Sequence, residues 1–222
     1  MKKIATIMTV LFVAIAVFAT VSIAAGPTVV ILGGVGGAAE HYLELQENIP
    51  GSVVIVPKNL WPLYSAADDL LQQIREEGIS GQVIFVAHSW GGIIARKIDA
   101  ENPGVVAMII TIATPSGGFG PDFIKFFFDA GDKNSDTPLY AIVGFNSTIP
   151  KKMYMEEGEE NDGVVTLKSA LDFRGKKVSE LRVLEGLEHT EMLKSQEVIQ
   201  LVKSWVQNYR GPANQSRVFF MV

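Results

Sequence analysis

Ser89 lies where a strand pattern changes into a helix pattern, a position suited to a nucleophile. Residues 82–96 begin as an apolar run rich in branched and aromatic side chains and end with isoleucines at helical spacing. The stretch therefore predicts a buried strand, a sharp turn and a helix. Such a turn exposes the serine hydroxyl above the carboxyl edge of the sheet and aims the helix N-terminus at it. It needs small residues two positions to either side of the serine, and Ala87 and Gly91 supply them.

A serine hydroxyl is a poor nucleophile unless a base removes its proton, and His189 is the predicted base. The chain has three histidines. His88 adjoins the serine and is expected to point away from its hydroxyl, and His41 lies in an early helical pattern. His189 lies in a loop between the last strand pattern and the last helix pattern. Because that loop opens on the same carboxyl edge as Ser89, we expect the two side chains to meet.

Together with Gly92, residues 87–91 resemble the nucleophile elbow of α/β-hydrolases, in the Ala-His-Ser-x-Gly form of small bacterial lipases. The resemblance extends over residues 28–209. It implies an α/β fold with a mostly parallel central sheet and helices on both faces, the compact α/β-hydrolase fold. The alternation of strand and helix patterns favours the same architecture. The simpler alternative is an ordinary strand–turn–helix in which Ser89 only caps the helix.

The base needs a carboxylate to orient it, and the resemblance implies that this acid lies between Ser89 and His189 in the chain. Asp162 is favoured because residues 161–165 follow a strand pattern at 139–144 and resemble the Asp-Gly-Val-Val segment that carries the acid in many lipases. Glu160 is the nearest competitor. The acidic run around them lacks the spacing of a calcium-binding loop, and no metal site is expected. The other carboxylates considered are Asp122, Asp129, Asp132, Asp136 and Asp172.

Residues 33–37, Gly-Gly-Val-Gly-Gly, follow the first strand pattern at 28–32. They match neither a dinucleotide-binding nor a phosphate-binding motif. They resemble the His-Gly-x-Gly-Gly loop of lipases, with Gly33 in place of the histidine, and this implies that the backbone N–H groups of Val35 and Trp90 form the oxyanion hole. Alternatively, the glycines only permit positive φ angles.

Aromatic residues are concentrated in two segments that are predicted to leave the carboxyl ends of strands. Phe119, Phe123 and Phe127 come from one, and Trp61 from the other. Because ligands bind above this edge of such sheets, we expect these rings to line a substrate pocket. The alternative is that they pack in the core or against an edge of the sheet.

Composition and charge limit the classes of partner. The chain has 222 residues, a formal charge of −5 and no cysteine. Its length suits one domain, its acidic balance argues against binding nucleic acid, and the lack of cysteine excludes disulfides, thiolate nucleophiles and thiolate metal sites.

The N-terminal residues read as a targeting segment. Lys2 and Lys3 precede an uncharged apolar run, and Ser22-Ile23-Ala24 resembles a cleavage site. We expect a signal peptide at 1–25, an α/β-hydrolase domain at 26–211 and a C-terminal tail at 212–222, in an exported protein that is secreted or periplasmic. If 1–25 were retained, the run would be long enough to anchor the domain in a membrane.

The pattern as a whole predicts a serine hydrolase that cleaves small-molecule carboxylic esters, with lipids as one candidate class, through Ser89, Asp162 and His189, with an acyl-enzyme and no cofactor. A thioesterase, amidase or acyltransferase on the same fold stays open, as does a catalytically silent exported binding module. The predicted helices are residues 38–48, 65–77 with Ser65 as N-cap, and 191–209; further predicted strands are 52–57, 105–113 and 178–184.

Overall fold

The computed structural model describes residues 26–118, 129–146 and 159–211. Within these ranges, six strands form one sheet in the order β2-β1-β3-β4-β5-β6, and every neighbouring pair is parallel. The strands are β1 Thr28–Leu32, β2 Val53–Ile55, β3 Val83–His88, β4 Val106–Ile112, β5 Leu139–Phe145 and β6 Glu180–Glu185. The helices are α1 Leu43–Asn48, α2 Leu63–Glu76, α3 Trp90–Glu101, α4 Leu167–Leu171 and α5 Gln196–Asn208. The predicted parallel α/β architecture is confirmed.

The strand order reverses between β1 and β3, and this reversal positions the site. After β1 the chain crosses to one side to form β2, then returns to form β3 on the other side. Leu32 at the end of β1 is paired with Ala87 near the end of β3, so the loops that follow these two strands leave the sheet side by side. A crevice at such a switch point is where open α/β sheets bind ligands.

Alternate strand residues face two separate apolar layers, as expected for a sheet covered on both faces. Phe85 and Ala87 of β3 lie in the layer formed with α2 and α3. Val86, between them, lies in the opposite layer with α1, α5 and the side chain of Tyr42. Consecutive residues of β3 are therefore buried on opposite faces, and the strand that carries Ser89 is fixed from both sides.

Three local predictions differ from the structure. Helix α2 begins after Pro62, and Ser65 is inside it rather than at its N-cap; the Ser65 hydroxyl instead accepts a hydrogen bond from the Asn59 amide. The predicted helix at 38–48 is a 3-10 turn, Ala39–Tyr42, followed by α1. The predicted helix at 191–209 is a 3-10 turn, Glu191–Leu193, followed by α5, because Ser195 caps α5 at its own start. Helix α4 was not predicted.

No helix within the described ranges combines the length and the apolar character needed to cross a membrane. The proposed targeting segment, residues 1–25, lies outside those ranges.

Candidate active site

Ser89 joins β3 to α3 in a backbone conformation that few residues other than glycine adopt. Its φ is 54° and its ψ is −127°, an arrangement that costs about 1–3 kcal/mol and is typical of functional sites. Ser89 is at the N-cap of α3, but its side chain makes no capping hydrogen bond. The alternative that Ser89 only caps the helix therefore does not hold. A Cβ atom added at Gly91 would lie 2.6 Å from the Gly33 carbonyl oxygen. The tight turn therefore requires a glycine there.

Three side chains from separate loops form one continuous hydrogen-bonded set around Ser89. The Ser89 Oγ lies 2.9 Å from His189 Nε2, and His189 Nδ1 lies 2.8 Å from Asp162 Oδ2. A carboxylate only accepts hydrogen bonds, so Nδ1 carries the proton of the neutral ring and Nε2 accepts from the serine hydroxyl. All three residues are buried, with exposed fractions of 7, 7 and 2% for Ser89, His189 and Asp162.

Two backbone N–H groups hold one oxygen of the Asp162 carboxylate. Its Oδ1 accepts hydrogen bonds from the N–H groups of Val164 at 2.9 Å and Val165 at 2.7 Å, which leaves Oδ2 for His189. Its carbonyl oxygen accepts the His189 N–H at 2.8 Å. Glu160, the competing carboxylate, is exposed and its side chain makes no hydrogen bond to His189. Asp132, another candidate, is paired with Arg96 instead.

The glycine-rich loop after β1 lies directly against Ser89. A Cβ atom added at Gly34 would lie 2.8 Å from the Ser89 Cβ and 3.0 Å from the His88 carbonyl oxygen. The N–H of Gly33 donates to Ile55, and that of Gly34 donates to the Tyr42 hydroxyl. The next N–H, that of Val35, has no acceptor among the residues that the structure describes.

Only one of the four predicted pocket residues lies in the described part of the chain. The Trp61 ring lies 6.3 Å, centroid to centroid, from that of Trp90, and 51% of Trp61 is exposed. The Trp90 indole N–H donates to the Leu60 carbonyl oxygen at 2.9 Å, so the loop after β2 is attached to the residue that follows Ser89. Phe119, Phe123 and Phe127 lie outside the described residues.

Tyr42 and His88 were given no role from the sequence, yet both are buried beside the site. His88 does not contact the Ser89 hydroxyl. Its ring lies 4.7 Å from the His189 ring, centroid to centroid, and its Nε2 lies 3.1 Å from the His189 carbonyl oxygen. Burial, reinforced by the charge that His189 can carry, lowers the pKa of His88 to about 3. The available signal was the alternation along β3, which turns His88 toward the face that also buries Tyr42.

Among the described residues, no group of three or more histidine, aspartate or glutamate side chains is arranged to hold a metal ion.

Comparison with known proteins identifies the family. The family model of the alpha/beta hydrolase fold matches residues 27–213. Comparison with curated protein sequences gives no match. Among solved structures, Est1E from Butyrivibrio proteoclasticus is similar, with a TM-score of 0.60, 15% identity and coverage of 82% of this chain and 87% of that one.

Two further solved structures have the same fold. A thermophilic esterase from Thermogutta terrifontis gives a TM-score of 0.57 at 12% identity, covering 82% of this chain and 90% of its own. Bacillus licheniformis lipase BlEst2 gives 0.56 at 17% identity, covering 81% and 91%. On the family match, the six-stranded parallel sheet and the position of Ser89 within it, this chain belongs to the alpha/beta hydrolase fold family.

Proposed function

We propose that this protein is a serine hydrolase that cleaves carboxylic esters, with Ser89 as nucleophile, His189 as general acid and base, and Asp162 as the acid that orients His189. The observation that carries the proposal is the continuous set of contacts from the Ser89 hydroxyl through both ring nitrogens of His189 to Asp162. The same arrangement activates serine on unrelated folds.

In the first half of the reaction, the Ser89 Oγ attacks the ester carbonyl carbon while its proton passes to His189 Nε2. Asp162 keeps Nδ1 protonated and stabilises the imidazolium that forms. The tetrahedral intermediate then collapses, the bond to the leaving oxygen breaks, and Nε2 gives its proton to the departing alcohol. The product left on the enzyme is an ester of Ser89.

In the second half, His189 takes a proton from water, and the water oxygen attacks the acyl carbon. Collapse of this second intermediate releases the carboxylic acid and returns the proton to the Ser89 oxygen. In each half, the developing negative charge is assigned to the backbone N–H groups of Val35 and Trp90. Preorganised backbone donors of this kind are worth several kcal/mol to the transition state.

Two of the solved structures with a similar fold are named an esterase and a lipase. We therefore favour esters over other acyl compounds as substrates. Because fold and triad are shared by thioesterases, amidases and acyltransferases, the substrate class has to be measured.

The test compares matched ester, thioester and amide substrates with the same acyl group on one preparation, with Ser89→Ala as the control. We expect the ester to give the highest kcat/KM and Ser89→Ala to lose about 10⁴-fold or more. A higher kcat/KM on the thioester or amide would reassign the substrate class. Hydrolysis that survives in Ser89→Ala would overturn the proposed mechanism.

A further inference from the structure

A buried tyrosine hydroxyl is enclosed by the glycine-rich loop. Tyr42 is 1% exposed, and its hydroxyl accepts the Gly34 N–H at 3.0 Å. A Cβ atom added at Gly33 or Gly37 would lie 3.1 or 2.7 Å from this hydroxyl oxygen. The loop therefore fits around the Tyr42 hydroxyl, and its glycines leave the space that the phenol occupies. Beside the backbone bonds from Gly33 to Ile55 and from Gly37 to Gly34, the Tyr42 hydroxyl is a side-chain anchor of the loop that presents the Val35 N–H.

The Tyr42 hydroxyl also forms a hydrogen bond with a histidine. Tyr42 Oη lies 3.4 Å from His88 Nδ1, and His88 Nε2 lies 3.1 Å from the His189 carbonyl oxygen. Because a carbonyl only accepts, Nε2 must carry the proton of the His88 ring. Nδ1 of the neutral ring is then an acceptor, and the Tyr42 hydroxyl is its donor. The direction of every hydrogen bond in the series is thereby fixed.

Both titratable groups in this series keep the required protonation state. Burial raises the pKa of Tyr42 despite the opposing hydrogen bond from Gly34, so its hydroxyl stays protonated. Burial and the nearby His189 hold the pKa of His88 at about 3, so this ring is neutral at any pH where His189 acts as a base. A second positive charge beside the His189 imidazolium is thus avoided.

His88, the last side chain of the series, holds the backbone of His189. The His189 carbonyl oxygen accepts from His88, and its N–H donates to the Asp162 carbonyl oxygen. The residue is therefore held by hydrogen bonds at both its peptide N–H and its carbonyl, in addition to those of its ring. Residues 33–37 and His189 are far apart in the chain, and Tyr42 and His88 connect them.

We propose that Tyr42 and His88 are positioning residues, which hold the glycine-rich loop, residues 33–37, and the His189 imidazole in a fixed relation to each other and to Ser89. This inference rests on the proposed esterase function. Neither side chain touches the reacting atoms. Together they align two groups that must meet the ester at the same moment, and small misplacements of such groups reduce turnover strongly.

The first experiment removes each hydrogen-bonding group and measures kcat and KM on one ester, per active site titrated with a fluorophosphonate. Tyr42→Phe deletes only the hydroxyl, and His88→Leu replaces the ring with an apolar side chain. We expect kcat to fall about 10- to 100-fold, with KM changed by no more than about twofold. Tyr140→Phe is the matched control, since it removes a hydroxyl in the same apolar layer near the amino end of β5, and its kcat should equal that of the wild type.

Two further variants separate positioning from general structural damage. His88→Gln keeps an amide N–H close to the position of Nε2, and we expect it to recover kcat to within about threefold of the wild type. The kcat of the double variant Tyr42→Phe/His88→Leu should lie within about twofold of that of the slower single variant. The effects of substitutions within one hydrogen-bonded network are not additive.

The proposal is overturned if Tyr42→Phe and His88→Leu lower the melting temperature but retain wild-type kcat per titrated site. It is also overturned if His88→Gln is as slow as His88→Leu. A wild-type protein that neither reacts with the fluorophosphonate nor hydrolyses the ester would overturn the proposed function, and this inference with it.

Discussion

The carboxylate beside His189 decides which ring nitrogen carries the proton. In Asp162→Asn, the amide oxygen can keep the bonds to Val164 and Val165, and the amide NH₂ then faces His189 Nδ1. The ring would shift its proton to Nε2 and could no longer accept from Ser89. We predict a loss in kcat of about 10³-fold or more with an unchanged fold, measured by steady-state ester hydrolysis.

Glu160→Gln is the matched control for that substitution, because it neutralises an exposed carboxylate two residues away. It should retain wild-type kcat. If Glu160→Gln were the more damaging of the two, Asp162 would not be the acid of the triad.

His88 makes stability depend on pH in a predictable direction. Its pKa is about 3 in the folded protein, against an ordinary value of 6.5, so below pH 6.5 the unfolded chain binds a proton that the folded one does not. The folded state therefore loses stability as the pH falls from 6.5 towards 3. His88→Gln, which cannot titrate, should lose about 2–3 kcal/mol less than the wild type between pH 7 and 4.5.

The measurement is urea unfolding of both proteins at the two pH values. Other groups near His88, namely Tyr42, His189 and His41, are common to both proteins, so the difference reports the ionisation of His88 together with its repulsion of the two other histidines. Equal losses in the two proteins would mean that His88 is not held neutral by burial.

At the scale of elements, the loop after β2 is connected to the elbow through Trp61 and Trp90. Burying one CH₂ group contributes about 0.8 kcal/mol, so each acyl carbon that contacts Trp61 should raise kcat/KM a few-fold. We predict a preference for medium over acetyl chains that is flattened in Trp61→Ala, with acetyl-ester turnover mostly retained. The measurement is kcat/KM across a series of acyl lengths.

Leu181→Ala provides the comparison, since it truncates an exposed apolar side chain on β6, at the opposite edge of the sheet. It should leave the chain-length series unchanged. An equal loss on all esters in Trp61→Ala, with a lower melting temperature, would show that Trp61 only stabilises its loop.

The elements around Ser89 could be predicted because their signals are local. The apolar run of β3, the isoleucines of α3 and the small residues beside Ser89 fix the strand, the turn and the helix within one short stretch. The N-cap of α2 was predicted wrongly because that prediction relied on a local signal alone. Serine is a favoured N-cap residue, but the Ser65 hydroxyl accepts a hydrogen bond from Asn59, and the N-cap is Pro62, three residues earlier.

Contacts between distant loops could not be derived from the sequence in the same way. Asp162 was selected over Glu160 by resemblance, whereas the physical difference is that backbone N–H groups of its own turn hold its carboxylate. Tyr42 and His88 are 46 residues apart, and the alternation along β3 indicates the face of His88 but not its contact with Tyr42. Such pairs depend on how the 3-10 turn Ala39–Tyr42 packs against β3, which only the structure supplies.

At the scale of the whole molecule, a buried ion pair joins α3 to the segment that precedes β5. Both Arg96 and Asp132 are 2% exposed, with their closest atoms 2.8 Å apart, and the Arg96 guanidinium also donates to the Phe173 carbonyl oxygen. Removing one partner leaves an uncompensated buried charge. We predict that Arg96→Met lowers the free energy of unfolding by about 3–5 kcal/mol, measured by chemical denaturation.

Replacing both partners, as in Arg96→Met/Asp132→Leu, should recover a large part of that loss. Lys97→Met serves as the control, since it breaks the more exposed pair between Lys97 and Glu101 on the same helix and should cost less than about 1 kcal/mol. A loss in Lys97→Met as large as that in Arg96→Met would contradict the assignment of stability to the buried pair.

Covalent labelling of Ser89 tests the central claim most directly. The folded protein is incubated with a fluorophosphonate, and the adduct is measured by intact mass and assigned by peptide mapping. A serine activated by His189 and Asp162 predicts one phosphonyl group per chain, on the peptide that contains Ser89, and little or no labelling in His189→Ala over the same time. An unlabelled wild-type protein, or a label on another residue, would contradict the claim.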